Sequence, residues 1–351
     1  MHPSQHLTHF HSALHEWYRH HARDLPWRRS RDPYRIWLSE VILQQTRVEQ
    51  GLPYYERMVV AFPNVEALAS ADGDTLMRHW QGLGYYRRAR LMQRAAREIA
   101  QTNNGQFPRH YDGLRKLPGI GDYTAAAISS IAFQEPQAVL DGNVARVIAR
   151  LFDDPTTANT PAGQKHFRAR AQELLDREYP GEHNQAMMEL GACICTPRNP
   201  LCRDCPVSRF CEAKSNGTVT DRPVKKAKAK LTTRYLHYLL LQKGNDIAVQ
   251  KRPEEGIWGA LYELVPLEKQ EAGAARAEEF AGLLGHAPED FRLRYTARHL
   301  LTHQRLECAF YSAKWSPPKG TLPAPLAWAS AEKMEKLAFP KVINTFLDRF
   351  L

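Results

Sequence analysis

Four of the six cysteines stand close together, Cys195, Cys202, Cys205 and Cys211, in the spacing C-x6-C-x2-C-x5-C. Thiolates gathered by loops this short suit a tetrahedral zinc ion or a four-iron cluster, and spacing alone leaves both open. The first 21 residues are polar and rich in histidine, without the apolar core of a secretory signal, so a reducing, cytoplasmic setting is expected, where disulfides are disfavoured. Pro197, Pro200 and Pro206 stiffen the loops between the thiols, and Arg198, Arg203 and Arg209 put positive charge in the same segment, which suits contact with phosphate. Cys193 and Cys308 read as small buried hydrophobes.

A carboxyl forms the second candidate. Asp32-Pro33 reads as an N-cap followed by proline in the first helical position, and the spacing predicts a helix from Pro33 to about Gln45. On it, Glu40 and Gln44 share a face with Arg47 farther along, and Ile36 and Leu43 flank Glu40. Apolar neighbours that strip water from a carboxyl favour its neutral form, and a carboxyl protonated near neutrality is what general-acid catalysis needs. Between a short periodic segment (Tyr111 to Lys116) and an alanine-rich helix (Asp122 to Phe133) lies Leu117-Pro118-Gly119-Ile120-Gly121. Gly119 and Gly121 let backbone N–H groups approach an anion at a helix N-terminus, so this turn is a candidate seat for a DNA phosphate.

These groups need elements to hold them. A chain of 351 residues, 43% hydrophobic and 25% charged, is long enough for two domains with separate cores. Its net charge of +10 favours a polyanionic partner such as nucleic acid. No apolar run is long enough to span a bilayer, so no membrane partner is expected. Up to residue 213 the pattern is helical. A basic linker is expected over 214–232, carrying Arg222-Pro223-Val224-Lys225-Lys226-Ala227-Lys228-Ala229-Lys230. Over 233–351 the period shifts toward strands, at Tyr235–Gln242, Ile247–Lys251, Tyr262–Pro266, Phe291–Thr296 and Arg305–Trp315, with a helix from about Gly273 to Leu284, predicting an α+β domain.

Taken in order, these motifs resemble the endonuclease-III-like superfamily of helix-hairpin-helix DNA glycosylases, from about Leu14 to Cys211. Within it they are similar to the adenine-removing, MutY-type family: LPWR at Leu25–Arg28, WLSEVILQQT at Trp37–Thr46, GLGYY at Gly82–Tyr86, LDGNV at Leu140–Val144 and NQAMMELGACIC at Asn184–Cys195. The resemblance implies a multidomain protein, an all-α helix-hairpin-helix domain with a [4Fe-4S] loop followed by an α+β Nudix-like domain. It implies that the four cysteines hold a [4Fe-4S] cluster rather than zinc. It makes Glu40 the acid that protonates adenine and Asp141 the carboxylate beside the positively charged sugar, supported by Tyr123 and Asn143. An Asp before Gly142 is otherwise an ordinary cap or turn residue. Trp27, Arg28, Leu43, Thr46 and Glu189 match residues around the flipped base, and Gln44 and Tyr85 match residues pushed into the DNA stack.

Related lyases carry a lysine two residues beyond the second hairpin glycine, where this chain has Tyr123, which cannot form a Schiff base. Lys116 is the nearest amine. A monofunctional enzyme is therefore expected, acting as a monomer on double-stranded DNA with adenine opposite 8-oxoguanine or guanine. The C-terminal part resembles a Nudix-like domain without the full catalytic box, since Ala274 and Ala275 stand where an Arg-Glu pair would align with Glu278-Glu279. By resemblance it recognises 8-oxoguanine through Leu301-Thr302-His303, in which Thr302 and His303 keep the hydroxyl and ring of the family's commoner Phe-Ser-His and Leu301 departs from it.

Overall fold

The computed structural model describes residues 3–102, 104–227, 231–316 and 322–351. The helices up to the cysteine loop are α1 (Pro3–His21), α2 (Pro33–Leu43), α3 (Val48–Ala61), α4 (Val65–Ser70), α5 (Gly73–Trp80), α6 (Arg87–Thr102), α7 (Tyr111–Leu114), α8 (Asp122–Phe133), α9 (Gly142–Leu151), α10 (Pro161–Leu174) and α11 (Pro180–Cys193), and α12 (Glu212–Ser215) follows that loop. Two compact units emerge. Met1–Ala69 and Leu91–Ala227 form one; Ser70–Arg90 joins Lys228–Leu351 in the other, so the units do not follow sequence order.

In the first unit α2 and α8 pack on one another and α11 packs against α8, α9 and α1. The Asp32 side chain caps α2 by accepting from the Tyr34 N–H at 2.9 Å. The helix stops at Leu43, short of the expected Gln45: Gln44 turns to an extended ψ of 113° and Gln45 takes a φ of +58°. Arg47 therefore leaves the Glu40 face and stands instead at the N-cap of α3. The turn between α7 and α8 needs its first glycine. Gly119 has a φ of +76°, and a Cβ there would lie 2.7 Å from the Leu91 Cβ.

The expected linker is partly strapped to this unit. Ala158 N–H donates to the Val224 carbonyl at 2.9 Å, Asn159 exchanges hydrogen bonds with the Lys226 backbone, and Arg222 pairs with Asp153 at 2.9 Å. Residues 228–230 of that segment lie outside the described residues.

The second unit holds β1 (Thr232–Leu240), β2 (Gln242–Lys243), β3 (Asp246–Lys251), β4 (Tyr262–Glu263), β5 (Val265–Lys269), β6 (Glu289–Leu300), β7 (Gln304–Lys314) and β8 (Ala327–Ala329). One sheet runs β5-β1-β7-β6, with β1 and β7 parallel; the other runs β2-β3-β4, with β8 beside β3. The helix expected from Gly273 begins later, as a 3-10 turn at Ala277–Phe280 continued by α13 (Ala281–Leu284). Phe280 and Leu284 pack there with Leu239, Val265 and Tyr311. After α14 (Ala331–Lys336), α15 (Lys341–Phe350) closes the chain, its Phe346 stacked on Phe310 of β7 at 4.5 Å.

Candidate active site

Glu40 sits on the buried side of α2, only 8% exposed, beside Ile36 and Leu43 in the wall of a cavity of about 170 Å³. The Tyr123 hydroxyl, delivered by the first turn of α8, donates to Glu40 Oε2 at 2.5 Å and also reaches Met188 Sδ at 3.3 Å. Burial dominates the Glu40 carboxyl. It outweighs the Tyr123 hydrogen bond and, with the nearby Asp141 charge, raises the pKa to about 7.

Asp141 serves two purposes at once. It is the N-cap of α9, where Oδ1 accepts from the Asn143 and Val144 N–H groups at 2.8 and 2.7 Å and Oδ2 accepts from Asn143 Nδ2 at 2.9 Å. The capping role anticipated for an Asp before glycine is thus real, and the capped carboxyl still faces the cavity. Burial raises its pKa, against backbone hydrogen bonds that favour the anion.

Trp27, Arg28, Leu43, Thr46, Asn143 and Glu189 line the same cavity. Trp27 lies edge-on to Tyr55 at 5.1 Å. Glu189, 1% exposed, accepts from Arg23 N, Nε and Nη2 and from Arg28 Nη2 at 2.7–3.0 Å. Burial would raise this carboxyl, but the two guanidinium groups outweigh it and hold it at about 2. Two neighbouring glutamates are therefore pushed apart, one to be protonated near neutrality and one to stay ionised.

Gln44 lies elsewhere. It faces a groove of about 920 Å³ shared with Gly119, Gly121 and Tyr123, where its Nε2 donates to Thr124 Oγ1 at 3.3 Å. Tyr85, Thr302 and His303 come together in the second unit, lining a cavity of about 640 Å³ with Trp258 and His299. Tyr85 has a φ of +48° and is 46% exposed, and its hydroxyl meets that of Thr302. Leu301, Thr302 and His303 form the turn between β6 and β7, closed by Leu301 N–H donating to the Gln304 carbonyl at 2.8 Å.

Cys195, Cys202, Cys205 and Cys211 are all half-buried free thiols on the loop that leaves α11 and ends at α12. Burial pushes the Cys205 thiol up to about 12, opposed by a backbone hydrogen bond from Val207 and reinforced by Cys195, Cys211 and Cys202. Four half-buried thiols on one loop, of which burial raises Cys205 and Cys211, are a donor set that fits a metal group stabilising them as thiolates. Among the described residues no three such donors converge on one ion's coordination sphere.

Sequence reasoning missed the residues that brace this site. Arg146 and Arg150 stand four apart on α9. Arg146 donates to Asn143 Oδ1 at 2.9 Å and to the carbonyls of Gly191 and Cys195 at 2.7 Å; Arg150 reaches Cys195 Sγ at 3.3 Å and the Thr196 carbonyl at 2.8 Å. Arg23, Gln185 and Met188 were missed as well. Arginines in one helical row beyond a capping Asp were the available signal.

Residues 38–175 match the model of the HhH-GPD superfamily of base excision DNA repair proteins, and residues 237–349 match a NUDIX domain. The chain is 36% identical over 256 residues to an adenine DNA glycosylase of Buchnera aphidicola, covering 72% of each. The chain belongs to the adenine DNA glycosylase family. It is 44% identical over 219 residues to the adenine DNA glycosylase of Mus musculus, where the match spans 42% of that relative and 59% of this family member. Among solved structures, a thermostable thymine-DNA glycosylase aligns with a TM-score of 0.56 at 28% identity, covering 61% of this chain and 98% of that one. The shared fold thus extends over the helical part.

Proposed function

We propose that the chain hydrolyses the N-glycosidic bond of adenine mispaired with 8-oxoguanine or guanine in double-stranded DNA, without cutting the strand, and so initiates base excision repair. The observation that carries this reading is Glu40, with its pKa raised to about 7 and its carboxyl held by Tyr123 in one small cavity with Asp141. Adenine leaves poorly as an anion, so bond cleavage needs a proton delivered to a ring nitrogen and negative charge near the developing sugar cation. Glu40 supplies the proton and then helps activate water. Asp141, held by α9 N–H donors, supplies the charge, with Asn143 fixing its second oxygen.

Extrusion of the base costs a few kcal/mol, offset when side chains fill the gap and a pocket receives the base. Gln44 and Tyr85 are the assigned wedges, and Trp27, Arg28, Leu43, Thr46 and Glu189 surround the base. Gly119 and Gly121 hold backbone phosphate. The Tyr85, Thr302 and His303 cavity is the assigned seat for the opposing 8-oxoguanine. Lys116 is exposed on the hairpin, and Tyr123 occupies the position of a lyase's lysine, which supports monofunctional action. Cys195, Cys202, Cys205 and Cys211 would hold a [4Fe-4S] cluster, which when bound would cross-link and rigidify a loop whose arginines supply the positive charge. The same reading takes the protein as a cytoplasmic monomer; no helix among the described residues is long and apolar enough to cross a membrane.

The test is a single-turnover reaction on duplexes with adenine opposite 8-oxoguanine, guanine or thymine, each sample divided and half treated with alkali. Alkali-dependent breaks favouring 8-oxoguanine are expected. Breaks without alkali would require a lyase, and an intact adenine strand would reduce the protein to a DNA-binding role.

A further inference from the structure

The groove that holds Gly119 and Gly121 has a second wall. It is a stripe of α10, where Gln164, Lys165, Arg168 and Gln172 line the groove at helical spacing. The amides of that stripe are already committed. Gln164 Nε2 donates to the Ala158 carbonyl at 2.6 Å, and the Gln172 amide joins the Ala138 N–H and the Pro136 carbonyl at 2.9 and 2.8 Å. The cations are left. Lys165 is exposed, and among the described residues no carboxylate pairs with it. Arg168, 46% exposed, is drawn toward the hairpin by Asp122 in the first turn of α8, with Nη1 2.6 Å from Oδ2.

Asp122 is the only carboxylate among the described residues lining the groove, and by itself it would repel a phosphate seated at the start of α8. It is not by itself. Arg115 Nε lies 2.7 Å from its Oδ1, and the Tyr111 hydroxyl donates to the same oxygen at 3.1 Å. With Lys165, three cations face one anion. A single carboxylate cannot take up all the N–H donors of two guanidinium groups, so both keep donors for a second anion. A backbone seated on the glycines and continuing along the groove meets α10.

We propose that α10 is a DNA-backbone contact surface, on which Lys165 and Arg168 hold phosphates of the strand seated by the hairpin and Asp122 is the positioning residue that aims Arg168. The inference rests on the reading of the chain as a protein that binds duplex DNA at this hairpin. An exposed ion pair contributes little to stability. Loss of Arg168 should therefore show in DNA affinity rather than in melting.

The test measures the affinity of the full chain, over a range of salt, for a duplex with an uncleavable adenine analogue at its centre and for duplexes shortened stepwise on either side. Wild type is compared with Lys165→Ala, Arg168→Gln, Asp122→Asn and the double variant of the last two. Lys165→Ala and Arg168→Gln should each weaken binding of the long duplex about fivefold and reduce the salt slope by about one, with melting temperature unchanged. Shortening one side of the duplex should abolish both losses, and shortening the other should leave them. In the Asp122→Asn background Arg168→Gln should cost less than in the wild type, because the guanidinium is no longer aimed. Unchanged affinity in both single α10 variants, or losses of one size on every duplex, would overturn the contact surface, and strictly additive effects would overturn the role of Asp122. A wild type that bound no duplex would overturn the DNA-binding reading itself.

Discussion

At the scale of single residues, the reaction depends on keeping one carboxyl neutral beside others that ionise. Because Glu40 must carry a proton, excision should be flat below pH 7 and fall as pH rises through about 7. Tyr123→Phe removes a hydrogen bond that lowers the Glu40 pKa, so the descending limb should move to higher pH; a pH-rate profile that stays in place would contradict this. The linkage to stability runs in the same direction for the fold. A carboxyl with a raised folded-state pKa binds more protons folded than unfolded, so stability falls as pH rises from about 4.5 to about 7. Glu40→Gln, which cannot ionise, should therefore melt higher than wild type at pH 8, by up to a few kcal/mol of stability, while losing excision. A lower melting temperature for Glu40→Gln at pH 8 would argue against burial as the cause.

At the scale of elements, α1 is clasped to α11 through buried histidines. His183 on α11 is buried beneath Phe10, His11 and His15, and its Nδ1 has no partner among the described residues. Burial lowers its pKa well below the usual histidine range, and His11 and His15 push the same way. His15 is also lowered by burial, against Glu182 and Asp176, which raise it. The unfolded chain then binds more protons below about pH 6.5, so this stability is present above that pH and lost as pH falls. Thermal melts should drop between pH 7 and pH 5, and His183→Phe should flatten the drop; an unchanged slope would count against the clasp.

The hairpin gives a second test at this scale. Gly119→Ala forces a positive φ on alanine and a Cβ onto Leu91, expected to cost about 1–3 kcal/mol. Gly121 has a φ of −88° and open space around its Cβ position, so Gly121→Ala should leave stability unchanged and report on DNA affinity alone.

Much of this scale was legible in advance. Asp32-Pro33 marks the start of α2 because cap and proline chemistry are local, and LPGIG marks the hairpin for the same reason. The exit of α2 was not legible, because neither glycine nor proline follows Leu43 to mark the turn at Gln44 and Gln45. The bracing by Arg146 and Arg150 depends on long-range carbonyls that no local pattern reveals.

At the scale of the whole molecule, sequence order and spatial order part company. Ser70–Arg90 lies inside the stretch matched by the glycosylase model yet clusters with the C-terminal chain, bringing Tyr85 to Thr302. Composition could not show this, since a boundary is read from linkers and this segment has none. The net charge of +10 was legible and predicts duplex binding that weakens steeply with salt. If the cysteine loop holds its cluster, the purified protein should contain iron and acid-labile sulfide, and Cys211→Ser should lose both together with thermal stability. Stoichiometric zinc in a fully active preparation would contradict the cluster.

The most direct measurement of the central claim is release of free adenine from a duplex carrying adenine opposite 8-oxoguanine, compared between wild type and Glu40→Gln at matched duplex occupancy. We predict adenine release by the wild type and a loss of at least about a hundredfold in Glu40→Gln with binding retained. Adenine release at the wild-type rate by Glu40→Gln would contradict it.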